Sequence, residues 1–186
     1  MGNEKPGIPV VCFIGPKNSG KTTLLEKVIR ALAASGVRVA AIKHDAHDFE
    51  IDREGKDSYR FAAAGAGTVL IASATKTALV ERTAGPPTLE SLVARHVRDA
   101  DLVLAEGYKS SRYPKIVVHR SATGRPPLDV PERLLVAVAS DVPLPSTALV
   151  VDLDDADVIA MMLQRMIGNQ AQVEGRSDGP ETEDAT

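Results

Sequence analysis

Cysteine is almost absent. Cys12 is the only one in 186 residues, which excludes a disulfide framework and a zinc ribbon and fits a reducing compartment. Tryptophan is missing, and three Phe and three Tyr are too few for a platform on which single-stranded nucleic acid would stack. Net charge is only -3, and it is unevenly spread: residues 169–186 hold five acids and one base, while the rest has 21 bases against 20 acids. So neutral a body lacks the basic face that general nucleic-acid binding needs. No run of about 18 apolar residues occurs, so no membrane span is expected. The opening MGNEKPGIP has no apolar stretch resembling a signal peptide. A cytoplasmic protein with neither membrane nor nucleic-acid partner is expected.

What is present is an alternation. Val10 to Ile14 is a continuous apolar run of the kind buried on both faces of a parallel sheet. Lys21 to Ala34 repeats Leu24, Leu25, Val28, Ile29 and Leu32 at helical spacing, and Gly36 stands where a helix end favours a left-handed residue. Val37 to Ile42 reads as the next strand, completing a strand-helix-strand unit. Further strands are expected at 68–72, 77–80, 102–105, 116–118, 135–138 and 149–151. Helices are expected at 57–64, 88–97 (capped by Thr88) and 154–167. The fold class is α/β, with a mostly parallel sheet and helices on both faces. One domain is expected over 1–168. The acidic stretch 169–186, without apolar periodicity, reads as a disordered tail.

Gly15-Pro16-Lys17-Asn18-Ser19-Gly20-Lys21-Thr22 fits G-x-x-x-x-G-K-[ST]. Glycines let consecutive N–H groups curl inward around phosphate oxygens, and the following helix points its positive end at the same place. Lys21 supplies a cation, Thr22 a hard oxygen suited to Mg²⁺, and Thr23 continues the helix start. The motif follows a buried strand and opens a helix, the setting it requires. A nucleoside triphosphate is the expected ligand.

A P-loop site needs an acid at the end of a neighbouring strand. Glu106 ends the apolar run 102–105, where the more usual residue is Asp, and Asp45 after the second strand is a further candidate for the metal's shell. Asp101, at the other end of its strand, reads as a solvated edge residue. His44 and His47 raise a transition-metal reading that the lack of nearby cysteine and of further histidines weakens. Lys109, Arg112, Lys56 and Arg60 flank these segments as candidates for a second anion or an acidic partner, and Lys115 reads equally well as a further such cation or as a solvated loop residue.

No N-K-x-D guanine reader occurs. Asp141, ending the run 135–140, is the nearest substitute. A carboxylate there would pair with guanine N–H groups and be stranded by adenine, a discrimination that can reach roughly 10⁴-fold. Turn formation before Pro143 explains Asp141 equally well, so the residues leave GTP and ATP both open.

Several segments together resemble one family, the P-loop protein B of molybdopterin-guanine dinucleotide biosynthesis (MobB). They are G-P-K-N-S-G-K-T-T-L at 15–24, K-H-D-A-H-D-F-E-I-D at 43–52, G-K-D-S-Y-R at 55–60, A-G-A at 64–66 and D-L-V-L-A-E-G-Y-K at 101–109. The resemblance implies a homodimeric GTP-binding protein with weak intrinsic GTPase. It would assist a MobA-like molybdenum cofactor guanylyltransferase in attaching GMP to the molybdopterin cofactor. By position it implies Gly15 to Thr23 around the phosphates, Thr22, Glu106 and Asp45 around Mg²⁺, and guanine rather than adenine. Pro16 stands where a related subclass carries a signature lysine, so activation across a dimer by such a lysine is not expected. A P-loop small-molecule kinase, kept open by Arg60 and Arg112, and a GTP-dependent metal chaperone are the alternatives.

Overall fold

The computed structural model describes residues 7–45 and 52–174, the last five of these as backbone. They fall into two compact units. Residues up to His44 together with those from His96 onward form the first, and Asp45–Arg95 form the second.

The first unit is built on six strands: β1 (Val10–Ile14), β2 (Val39–Lys43), β5 (Leu102–Glu106), β6 (Lys115–His119), β7 (Leu135–Ser140) and β8 (Leu149–Asp152). All pair in parallel, in the order β2-β5-β1-β6-β7-β8. Their apolar runs are continuous because both faces are covered. On one face Val11, Phe13, Leu102, Leu104, Ile116, Val118, Ala137 and Ala139 form the core with two helices, α1 (Lys21–Ala34) and α4 (Ala156–Glu174). Helix α1 contributes Leu24, Leu25, Val28 and Leu32, each side chain contributing about 1.5–3 kcal/mol by burial. Helix α4 answers with Ile159, Ala160 and Leu163. On the opposite face Cys12, Val103, Ala105 and Val117 are just as buried.

Lys115, expected either as a cation beside the crevice or as a solvated loop residue, is instead 1% exposed. Its Nζ donates to the carbonyls of Ser111 (2.5 Å) and Tyr113 (2.7 Å), pinning the 107–114 loop to the sheet. Burial holds its ammonium below the ordinary lysine value. Cys12 Sγ lies 3.4 Å from Ser111 Oγ, at the same loop. Asp101 is likewise more than an edge residue: its carboxylate accepts from the Arg38 guanidinium (2.6 and 3.1 Å) and backbone N–H (2.8 Å).

The second unit contains α2 (Asp57–Ala63), an antiparallel hairpin of β3 (Thr68–Ala72) and β4 (Thr77–Glu81), and α3, which begins at Leu89 and ends at His96 just beyond it. Thr88 caps α3 through Ser91 N (3.2 Å), as expected. Arg82 Nη2 ties the hairpin's exit to the Ala62 carbonyl (2.7 Å), and Arg95 pairs with Glu81 (2.6 Å). The hairpin is a sheet of its own, and Asp45–Arg95 form a compact unit within the span expected as one domain.

The last helix also departs from expectation. It runs past 168 to Glu174, because its apolar repeat (Ile159, Leu163, Met166, Ile167) packs against the core and carries the backbone onward. Residues 175–186, the remainder of the expected acidic tail, lie outside the described residues.

Candidate nucleotide-binding site

Parallel strands bring their carboxyl ends to one edge of the sheet, and β1 sits between β5 and β6, so a crevice opens where the chain leaves β1. Gly15 is required there. A Cβ on it would collide with the Val118 carbonyl oxygen of β6 and approach Ser19 Oγ to 2.8 Å. Asn18 adopts φ 65°, a left-handed conformation that asparagine tolerates better than most residues, and Gly20 adopts φ 91° as the N-cap of α1. These two reversals roll the loop over and expose Lys17 and Asn18. Ser19 is fully buried, and its Oγ has no hydrogen-bond partner among the described residues. A buried hydroxyl without a partner is costly and marks this loop as a cradle for a polar group.

Lys21 Nζ folds back to the Pro16 carbonyl at 2.8 Å. Burial lowers its pKa, the Glu106 carboxylate opposes that shift, and Lys43 adds to it. Thr22 Oγ1 donates to Glu106 Oε2 at 2.9 Å across 84 positions of sequence. Glu106 therefore does reach the loop despite standing where Asp is more usual. A hydroxyl and a carboxylate in contact beside a lysine are hard oxygen donors fitted to Mg²⁺. Thr23 is exposed in the first turn of α1, beside Thr22.

Behind Glu106 the chain turns sharply through Gly107 (φ 96°) and Tyr108 (φ 52°). His44 donates its N–H to the Glu106 carbonyl (2.9 Å). Its ring lies 4.8 Å from that of Tyr108, and its Cβ is 3.1 Å from where a Gly107 Cβ would stand. His44 thus supports the turn that carries Glu106. Among the described residues no three His, Cys, Asp or Glu groups are gathered to hold a metal ion; His47 lies outside them.

A family model described as molybdopterin guanine dinucleotide synthesis protein B matches residues 10–141. The chain belongs to that family. It is 38% identical over 172 residues to the molybdopterin-guanine dinucleotide biosynthesis adapter protein of Escherichia coli, covering 88% of this chain and 98% of the relative. The adapter protein of Haemophilus influenzae is also 38% identical, with 86% and 90% covered. Among solved structures, the Bacillus subtilis MobB superposes with a TM-score of 0.67 at 26% identity, covering 84% of this chain and 97% of that one. The Bacillus stearothermophilus MobB homologue gives 0.63 at 28%, with 86% and 98% covered.

Within this MobB family chain the remaining expected residues are scattered. Lys109 and Arg112 are exposed on the loop after β5, where Arg112 lies 5.9 Å from the Tyr113 ring centroid. Lys56 and Arg60 belong to the second unit, Lys56 as the N-cap of α2 and Arg60 paired with Asp57 at 3.5 Å. Asp45 is the first residue of that unit. Asp141 follows β7 at the carboxyl edge of the sheet, and its carboxylate accepts from Ser121 N (2.7 Å) and Ser121 Oγ (3.1 Å). The Ser121 N–H holds it below the ordinary carboxylate range. A carboxylate so engaged anchors a turn before it reads a base.

Four polar residues on the β6 side escaped the sequence reading. His119 and Ser140 are buried, Nδ1 of the first 3.2 Å from Oγ of the second. His119 Nε2 lies 3.2 Å from the Arg125 carbonyl, which only accepts, so Nε2 carries a proton. Arg120 Nη2 is 3.2 Å from where a Gly20 Cβ would be. Lys17, Asn18, Arg120, Ala122, Thr123 and Arg125 line a cavity of about 390 Å³. The available signal was positional: Arg120 comes directly after a buried strand, as Glu106 ends one.

Proposed function

We propose that this chain is a GTP-binding adapter of molybdenum cofactor biosynthesis, assisting a MobA-like guanylyltransferase that attaches GMP to the molybdopterin cofactor. The observation that carries the nucleotide part is the Thr22–Glu106 contact at the mouth of the glycine loop, in a chain of the protein B family. The backbone from Gly15 to Thr23 would hold phosphates and Lys21 would neutralise them. Thr22 and Glu106 would form the protein's share of a Mg²⁺ shell. Bound there, Mg²⁺ would neutralise charge on the terminal phosphates. No side chain among the described residues at the loop is placed as an obvious general base, which agrees with weak GTPase activity, on the order of 10⁻⁴ s⁻¹ as in unassisted GTPases. Lys109 and Arg112 would meet the cofactor's phosphate or an acidic face of the partner; Lys56 and Arg60, in the second unit, are candidates for the same kind of contact on their own.

A homodimer is part of this reading. Leu70, Ile71 and Leu79 of the β3–β4 hairpin are 42–63% exposed, and such apolar strand residues call for cover. Cytoplasmic location follows from the pathway proposed.

The experiment is reconstitution. Added to a guanylyltransferase, Mo-molybdopterin and GTP-Mg²⁺, the chain should raise the yield of the guanine dinucleotide, and Lys21→Ala should not. Equal yields with wild type and Lys21→Ala would remove the nucleotide-dependent adapter role. In calorimetric titration, GTP should bind in preference to ATP. Tight ATP binding would favour the kinase reading instead.

A further inference from the structure

Lys21, Thr22 and Glu106 lie on the β5 side of the loop, because β5 supplies Glu106. The terminal phosphates and their metal belong on that side. A nucleotide so seated must run its inner phosphate and nucleoside toward the β6 side, where the 390 Å³ cavity opens. That cavity is lined by three cations, Lys17, Arg120 and Arg125, and by no acid. The Arg120 guanidinium lies against Gly20, the N-cap residue of α1; the Asp141 and Asp154 carboxylates feel its charge, but no hydrogen bond or ion pair within 4 Å ties it to a described residue. Arginine is the side chain best suited to grip a phosphate with two parallel N–H groups.

The turn carrying Arg120 is held at several points. Asp141 fixes Ser121 through two hydrogen bonds (2.7 and 3.1 Å). Buried His119 bridges Ser140 and the Arg125 carbonyl, each at 3.2 Å. Thr123 Oγ1 closes on the Arg120 carbonyl at 2.8 Å. Buried polar groups at the ends of β6 and β7 are thus committed to the shape of residues 120–125. An exposed loop without a ligand would not need them.

We propose that Arg120 binds the α-phosphate of the nucleotide on the β6 side of the P-loop, and that Asp141 is a positioning residue that holds the Arg120 turn through Ser121. This rests on the nucleotide-binding reading above and assigns a role within it. The ligand class is a nucleoside di- or triphosphate, and the contact is independent of the base.

Affinity for GTP, ATP and inorganic tripolyphosphate, each with Mg²⁺, tests the assignment. The proteins are the full chain, Arg120→Ala, Arg120→Lys, Asp141→Asn and Lys21→Ala, with thermal melting by circular dichroism to confirm folding. Arg120→Ala should weaken GTP and tripolyphosphate by the same factor, about tenfold or more, and Arg120→Lys should recover part of it. Asp141→Asn should weaken both to a smaller extent and leave the GTP-to-ATP ratio unchanged. Lys21→Ala should weaken every probe. If wild type binds none of the three, the nucleotide reading itself fails. If wild type binds but Arg120→Ala is unchanged, only the Arg120 assignment falls. Loss confined to GTP would place Arg120 on the nucleoside and overturn the α-phosphate contact. Tripolyphosphate stoichiometry above one that drops in Arg120→Ala, with GTP unaffected, would overturn it in favour of a separate anion site. A changed GTP-to-ATP ratio in Asp141→Asn would make Asp141 a base reader after all.

Discussion

The two units use similar strand sequences to different ends. In the first, β5 (LVLAE) is buried from Leu102 to Ala105. In the second, β3 (TVLIA) buries only Val69 and leaves Leu70 at 63% and Ile71 at 45% exposure. Local sequence is nearly interchangeable between them, yet only the first has neighbours on both edges and both faces. Apolar runs therefore specify strands, whereas burial depends on the layers available to cover them. The site follows the same division. Strand ends in a covered sheet hold polar groups against a fixed frame, as Thr22–Glu106 and Asp141–Ser121 show, while the hairpin exposes the apolar side chains Leu70, Ile71 and Leu79.

This contrast can be broken most forcefully in the first unit's core. Leu32→Ala should cost about 2–5 kcal/mol in chemical denaturation, since Leu32 is fully buried between helix and sheet. A loss below about 1 kcal/mol would mean that the helix layer is not the close-packed one described. Lys115→Met comes next. It keeps the volume but strands the Ser111 and Tyr113 carbonyls, at about 1–3 kcal/mol each when no water reaches them. Hydrogen exchange should quicken over 108–115, and unchanged exchange there would show that the loop is held by other means.

In the second unit the expected effect moves from stability to the proposed association. Leu70→Asp, on the hairpin, should change unfolding by no more than about 0.5 kcal/mol, and sedimentation should find wild type dimeric and the variant monomeric. A monomeric wild type would remove the proposed dimer, and a variant that stays dimeric would move its interface off the hairpin. The smallest effect belongs to the Arg38–Asp101 pair. The Arg38 side-chain and backbone donors lower the Asp101 carboxyl from the ordinary 3.8 to about 2. A depressed carboxyl stabilises the fold above the unfolded value and loses that contribution as pH falls through the folded one. Asp101→Asn should therefore be slightly less stable than wild type at neutral pH and converge with it between pH 3.8 and about 2. A difference that persisted below pH 2 would not be electrostatic.

Much of the first unit was legible because its signals are local. The run Val10–Ile14, the loop Gly15–Thr22 and the helical repeat from Leu24 to Leu32 each declare themselves within a few residues, and β5 could be read up to the residue before Glu106. Asp141 is legible by its place at a strand end, but its partner Ser121 lies 20 positions away and has no mark in sequence. Lys115 looked like one of several loop cations, since nothing local distinguishes an ammonium bound to two carbonyls from a solvated one.

The sequence by itself determined the class of fold, the glycine loop and the acid facing it, because hydrophobic period and glycine placement act over short spans of chain. Tertiary structure alone decided the rest: that β6 lies against β1, that Arg120 therefore meets Gly20, and that 45–95 stands as a unit of its own. Strand order is fixed by which layers can cover which faces. That is a property of the whole chain, and no window of residues contains it.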